Sequence, residues 1–174
     1  MKQAKHRSGA DDAEDWDAVE QATELLQEQR FHEALYALRD AIHTRPRNPY
    51  AYYFLGTALF ETAEAEAARD AFRAALRLSP DYLGARVALA QTLRVLGDLR
   101  GAIHEAEEAL RRHPGDADAL YAAGLAHAAR GDRQAARRLL GAFLTKGPEL
   151  EVASEAVAIL RSLDGDAETE DADG

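Results

Sequence analysis

Residues 49–82 read PYAYYFLGTALFETAEAEAARDAFRAALRLSPDY, and the reading of this stretch decides the fold. Tyr52, Leu55, Gly56 and Leu59 recur three and four apart, and so do Ala68, Phe72 and Ala75 after a break at Ala63-Glu64, the spacing of two successive helix faces. Pro80 then stops the second helix, because its ring has no N–H to donate and clashes with the preceding turn. The stretch is one of four. Pro46, Pro80, Pro114 and Pro148 recur at one constant spacing, and Ala34, Ala68, Ala102 and Ala136 each stand twelve residues before one of them. That frame divides the chain into units 15–48, 49–82, 83–116 and 117–150, with no insertion or deletion between them.

The frame carries a common chemistry. Ala22, Gly56, Ala90 and Gly124 are all small, which permits close approach of two helices, and Leu25, Leu59 and Leu93 follow three residues later, with His127 as the exception. In the second half of each unit Leu38, Phe72, Ala106 and Leu140 precede Ala41, Ala75, Ala109 and Phe143 on one helical face. Gly97-Asp98 and Gly131-Asp132 mark the break between helices in units three and four, where units one and two have Gln29-Arg30 and Ala63-Glu64. Arg45, Arg77, Arg111, Arg112 and Lys146 suit the negative ends of the second helices. Asn48-Pro49, Asp81 and Asp116 are expected to cap the helices that follow.

Val152, Ala156, Ile159, Leu160 and Leu163 share a face, so residues 151–163 are expected to form a capping helix over Leu139, Leu140 and Phe143. Residues 1–13 are expected to be disordered, with Asp11 or Asp12 capping the first helix. Residues 164–174 hold six acids and no large apolar group, so a disordered acidic tail is expected there.

Composition narrows the function. The 174 residues are 47% hydrophobic and 30% charged, a folding composition, and the net charge of −10 counts against nucleic acid as a ligand. Absence of cysteine excludes disulfides, thiol nucleophiles and thiolate zinc sites. No apolar run is long enough to span a bilayer, and Met1–Ser8 is basic with no apolar stretch behind it, so a cytoplasmic protein without membrane contact is expected. Motifs of catalysis are missing. His32-Glu33 and His104-Glu105 lack a second histidine four residues on, none of the four serines lies in a G-x-S-x-G turn, and no phosphate loop is present. No catalytic residue, metal site or cofactor is assigned. Glu20, Glu24 and Glu28 form an acidic row read as a solvated helix face.

The 34-residue pattern resembles the tetratricopeptide repeat family over residues 15–150, best in the second unit through Tyr52, Leu55, Gly56, Leu59, Ala68, Phe72, Ala75 and Pro80. Ala18 and Gln21 in unit one and Arg86 in unit three depart from it, since large apolar residues are usual there. The resemblance implies an all-α solenoid of four helix-turn-helix repeats with first helices lining a concave groove. On that frame Trp16, Val19, Tyr50, Tyr53, Thr57, Phe60, Arg86, Val87, Gln91, Arg94, Tyr121 and Leu125 are expected to face the groove. Such an aromatic surface suits non-catalytic binding of a peptide or helical segment of a partner protein, with Tyr53, Phe60 and Tyr121 as anchors and Arg86 and Arg94 reading carboxylates. The lysine and asparagine clamp that some members use to hold the acidic terminus of a chaperone is absent, for Thr23, Thr57 and Gln91 stand on these helices. In size, acidity and groove character the chain is similar to small secretion chaperones. Two readings stand beside peptide binding: a homodimer whose groove is filled by a second copy, and a metal-dependent regulator or enzyme, which a search for bound metal or nucleotide would reveal.

Overall fold

The computed structural model describes the backbone of residues 9–170 and the side chains of residues 12–164. Among the described residues there are ten helices and no strand: α1 (Gly9–Asp17), α2 (Glu20–Gln27), α3 (Phe31–Thr44), α4 (Pro49–Glu61), α5 (Ala65–Leu78), α6 (Leu83–Val95), α7 (Leu99–Arg112), α8 (Ala117–Arg130), α9 (Arg133–Leu144) and α10 (Leu150–Glu170). The second helices α3, α5, α7 and α9 begin at the period of the prolines, and so do the first helices α4, α6 and α8. The chain divides into two compact units, one up to Ala85 and one from Arg86. In the first, α2 packs on α3, α3 on α4, and α4 on both α5 and α1. In the second, α7 packs on α8, α8 on α9, and α10 on α8 and α9.

The close approach of first and second helices has a direct steric basis. A Cβ placed on Gly56 would lie 2.6 Å from the ring of Phe72, and one on Gly124 would lie 2.6 Å from Leu140. Glycine therefore makes the recess into which the large side chain of the next helix fits. Phe72 and Leu140 are almost wholly buried there, each contributing about 1.5–3 kcal/mol of apolar transfer energy. The alanines that flank them on the same face, Ala68, Ala75 and Ala136, are fully buried as well.

The turns between paired helices repeat one backbone conformation. Gln29, Ala63, Gly97 and Gly131, equivalent positions of the four units, have φ of 58°, 63°, 79° and 86°. Only the last two are glycine, so units one and two hold a side chain in the left-handed region. Two first turns are capped as the sequence predicts, by Asn48 and Asp116, and Asp98 caps a third. Asn48 accepts from the amides of Tyr50 and Ala51 at 2.9 and 3.2 Å, with Pro49 in the first helical position. Asp116 accepts from Ala119 N–H at 2.9 Å, and Asp98 from Gly101 N–H at 2.9 Å.

Both flanks differ from the sequence expectation. Residues 9–13, expected to be disordered, belong to α1, so Asp11 and Asp12 lie inside that helix and do not cap it. Residues 1–8 of that expectation lie outside the described residues. The first helix of unit one is also broken, into α1 and α2, at Ala18-Val19. The Asp15 carbonyl accepts from Asn48 Nδ2 at 2.6 Å, and the Val19 amide turns to Trp16 O at 2.9 Å. The side chain of Asp15, 7% exposed, is held at 2.6 Å by Nε of Arg45, and Nη1 of the same arginine reaches Glu14 at 2.9 Å. At the other end α10 does not stop at Leu163 but runs to Glu170, taking in most of the expected acidic tail; residues 171–174 lie outside the described residues. No proline interrupts Asp164–Glu170, and alanine and glutamate favour the helix. Arg137 of α9 fixes the turn before this extension by donating to Leu163 O and pairing with Asp164, both at 2.7 Å.

Replacing Ala63 or Gln29 by glycine is expected to raise stability by about 1 kcal/mol, because it removes the left-handed penalty of a Cβ. Gly97→Ala and Gly131→Ala should lower it by a similar amount although no atom lies within 4 Å of either position; urea denaturation of the four variants checks both signs. Asn48→Ala removes two cap bonds and the donor to Asp15 from a fully buried site, and a loss of about 2 kcal/mol is expected in the same measurement.

Candidate protein-interaction surface

The first unit gathers its aromatic rings along α1 and α4. Trp16 stands edge-on to Tyr50 at 5.7 Å and to Phe54 at 5.9 Å between ring centroids. Tyr50 meets Tyr82 at 5.6 Å, and Tyr53 meets Phe54, Phe72 and Tyr82 at 5.0, 5.9 and 4.9 Å. Edge-to-face contacts of this kind add about 0.5–1.5 kcal/mol per pair beyond area burial. The cluster is graded. Phe72 is in the core, Tyr50, Tyr53 and Phe54 are half-buried, and Trp16 is 47% exposed. An indole held in place by two rings and half open to water is a rigid apolar surface ready for contact.

Several expected groove residues take other places. Val19, Val87 and Leu125 are 0, 7 and 8% exposed, so they belong to the core and present nothing to a partner. Val87 and Leu125 face the packed side of α6 and α8, and Val19 is buried at the break between α1 and α2. Arg86 is not available to read a partner's carboxylate: its Nη1 donates to Glu105 of α7 at 2.6 Å, with side chains only 12 and 20% exposed. That ion pair accounts for an arginine where an apolar residue is usual, since its charge is matched inside the unit. Thr57, half-buried, returns its hydroxyl proton to Tyr53 O at 3.2 Å. Phe60, Gln91 and Arg94 are half-buried.

Tyr121 sits in the second unit with its ring 4.8 Å from Phe143. Its hydroxyl oxygen is buried without a hydrogen-bond partner. Burial above all, and then the nearby Glu155 carboxylate, pushes its phenol well above the usual tyrosine value, with Arg94 acting weakly in the opposite sense. Tyr82 is shifted the same way, chiefly by burial and then by Tyr53 and Tyr50.

Residues outside the predicted set also shape the surface. His127, the exception to the leucine pattern, is 7% exposed and lies between Asp132, 3.0 Å from Nδ1, and Glu107, 3.2 Å from Nε2. A structural histidine bridging two elements is what takes the leucine's place. In the first unit the acidic row contributes Glu24 and Glu28 to an open cleft of about 540 Å³, lined also by Gln21, Glu33 and Tyr36. Arg30 inside that cleft pairs with Glu28 at 2.8 Å and Glu33 at 2.6 Å. Among the described residues no group of three or more histidines and carboxylates is arranged to hold a metal ion, and no helix is long and apolar enough to cross a membrane. Tyr82 and Phe54 were missed by sequence reasoning, although their aromatic character beside Tyr50 and Tyr53 was the available signal.

Helix pairs repeating with one unbroken period, with a small residue on the first helix receiving a large one from the second, define a tetratricopeptide-repeat protein, a fold of protein-interaction modules. More particularly, the chain belongs to the family of the cytochrome c-type biogenesis protein H TPR domain, whose model matches residues 13–150. No curated protein matches it. Among solved structures it is similar to MamA, with 26% identity over 79% of this chain and 81% of that one and a TM-score of 0.69. It is also similar to TTC0263, a thermophilic TPR protein of Thermus thermophilus, with 23% identity, 86 and 80% coverage and a TM-score of 0.70. The first TPR of Spaghetti (RPAP3), solved bound to the HSP90 peptide SRMEEVD, shares the fold at 18% identity, 70 and 96% coverage and a TM-score of 0.65.

An alkaline titration followed by phenolate absorbance is expected to show tyrosines ionising well above the ordinary value of 10.0, an amplitude that shrinks in Tyr82→Phe and in Tyr121→Phe. Since the folded state holds these protons more tightly than the unfolded state, stability should be unaffected by them below that value and fall as pH rises above it.

Proposed function

We propose that the chain is a non-catalytic interaction module that holds a helical or extended segment of a partner protein against the Trp16, Tyr50 and Tyr53 face of its first unit. The observation that carries this reading is the half-exposed indole of Trp16, fixed edge-on against Tyr50 and Phe54. Tryptophan and tyrosine bury large area at small cost in conformational entropy, which is why they dominate binding hot spots. Here that cost is lower still, because the rings are already locked by one another. In the second unit Arg94, half-buried near the Tyr121 ring, offers a smaller patch with one cation for polar contact. The chain supplies Thr23, Thr57 and Gln91 on its first helices in place of a cationic clamp, so an apolar or aromatic anchor in the partner is favoured over an acidic terminus. The peptide-bound structural neighbour supports the mode of binding at the level of the fold. The half-burial of Tyr53 suits it to supporting the contact from beneath, with Trp16 and Tyr50 making it.

The test compares proteins cross-linked to the full chain and to a Trp16→Ala, Tyr50→Ala variant whose helicity and melting are first shown to match. A protein captured by the first and lost from the second, whose isolated segment also shifts the emission of the single tryptophan, is the expected outcome. Equal capture by both chains would sink the reading. So would a wild-type chain that sediments as a dimer with Trp16 emission sensitive to its own dilution, which would place a second copy on this face.

A further inference from the structure

The charges on the helices that build the aromatic face of the first unit are all of one sign. Helices α1 and α4, which supply Trp16, Tyr50, Tyr53 and Phe54, and α2, which follows α1, contain no lysine, arginine or histidine, while Asp12, Asp17, Glu20, Glu24 and Glu61 are among their acids. Helices α6 and α8 differ, with Arg86, Arg94 and Arg130 against Asp118. Neutralisation in the first unit is partial. Arg45, which follows α3, reaches Asp15 at 2.6 Å and Glu14 at 2.9 Å. Asp17, Glu20, Glu24 and Glu61 are exposed, and among the described residues no base pairs with them. Two of these acids stand beside the indole along the chain. Asp17 follows Trp16 directly, and Glu20 comes one turn later, because the Val19 amide donates to Trp16 O at 2.9 Å and keeps the chain turning through the break. The indole between them in this sense is 47% exposed.

We infer that the partner segment held on this face is cationic: an amphipathic segment that lays apolar side chains against Tyr50 and Phe54 and brings an arginine or lysine onto the Trp16 indole, within the field of Asp17 and Glu20. The inference rests on the reading of the face as a docking surface and adds the chemistry of its occupant. Two independent effects select the same sign. The π face of an indole attracts a cation through the ring quadrupole, and tryptophan does so best of the aromatic side chains. The unpaired carboxylates on the same helices add a field that concentrates cations and repels anions, so they speed encounter with a basic segment and reject an acidic one. Arginine suits the site better than lysine, since its planar guanidinium stacks on an aromatic ring and gives up its hydration more readily. The same field disfavours a second copy of the chain, which brings the same acidic helices and a net charge of −10. It disfavours an acidic peptide terminus as well, in keeping with the absence of cations from these three helices.

Two peptides with the same helical leucine spacing, one with arginine and the other with glutamate at every remaining position, serve as probes against the full chain. Trp16 is the single tryptophan, so its emission reports this face. The arginine peptide is expected to shift that emission saturably, to bind at least about tenfold more tightly than the glutamate peptide, and to weaken steadily as salt rises from about 0.05 to 0.5 M. Asp17→Asn combined with Glu20→Gln should weaken it at least about threefold at unchanged melting. Glu149→Gln combined with Glu151→Gln, the same change of charge at exposed positions of the second unit, should leave it unchanged. Equal weakening by both pairs overturns the proposal, because net charge alone would then attract the peptide. A glutamate peptide that shifts the emission and binds as tightly as the arginine peptide overturns it too, while leaving the aromatic face a docking surface. Emission unmoved by either peptide also overturns it, and cross-linking to the Trp16→Ala, Tyr50→Ala variant then decides the face by itself. So does a change of Trp16 emission, with no peptide present, on removal of residues 2–8, which carry Lys2, Lys5 and Arg7, since the chain's own cations would then hold the site.

Discussion

The distance between a first helix and its second is the constraint on which everything else in this chain rests. At Gly56 and Gly124 the backbone of one helix lies in van der Waals contact with the ring or branched end of Phe72 or Leu140 from the next, and any side chain there would collide. In units two and four the approach is therefore set by a missing Cβ. The same small position recurs with the period of the repeat, at Ala22, Gly56, Ala90 and Gly124. Local contacts of this kind make each unit's stability a sum over neighbours.

Function is built on what that packing leaves uncovered. The second-helix stripes are consumed inside the units, whereas the first helices turn another side outward, and in the first unit that side is aromatic. Trp16 is central because it extends to the rings Tyr50 and Phe54 of α4 the contact that α1 makes through Asp15 with Arg45 and Asn48. The polar anchor fixes α1 and the rings fix the indole, so an exposed apolar group is held in one orientation. The tertiary polar bonds and the interaction surface are in this way one construction.

Departures from the repeat have individual physical causes. Arg86 replaces an apolar residue and is neutralised by Glu105; His127 replaces a leucine and bridges Asp132 and Glu107. Gln29 and Ala63 replace glycine in left-handed turns that their units impose on them. In each case the surrounding fold overrides a local preference, which is possible because neighbours on both sides supply more packing energy than the single misfit removes.

Helix periods, the proline stops, the small positions and the capping residues Asn48 and Asp116 all determine local geometry through the chain's own covalent chemistry, so the sequence by itself determined the four paired repeats and the helix that follows them. Exposure was a different matter. Val19, Val87 and Leu125 fall in the 34-residue frame at positions shared with the half-buried Tyr53, Tyr121 and Thr57, so the repeat alone does not separate core from surface there, and only tertiary packing decided that they are core. The break between α1 and α2 likewise came from a long-range hydrogen bond, Asn48 to the Asp15 carbonyl, which no local pattern contains.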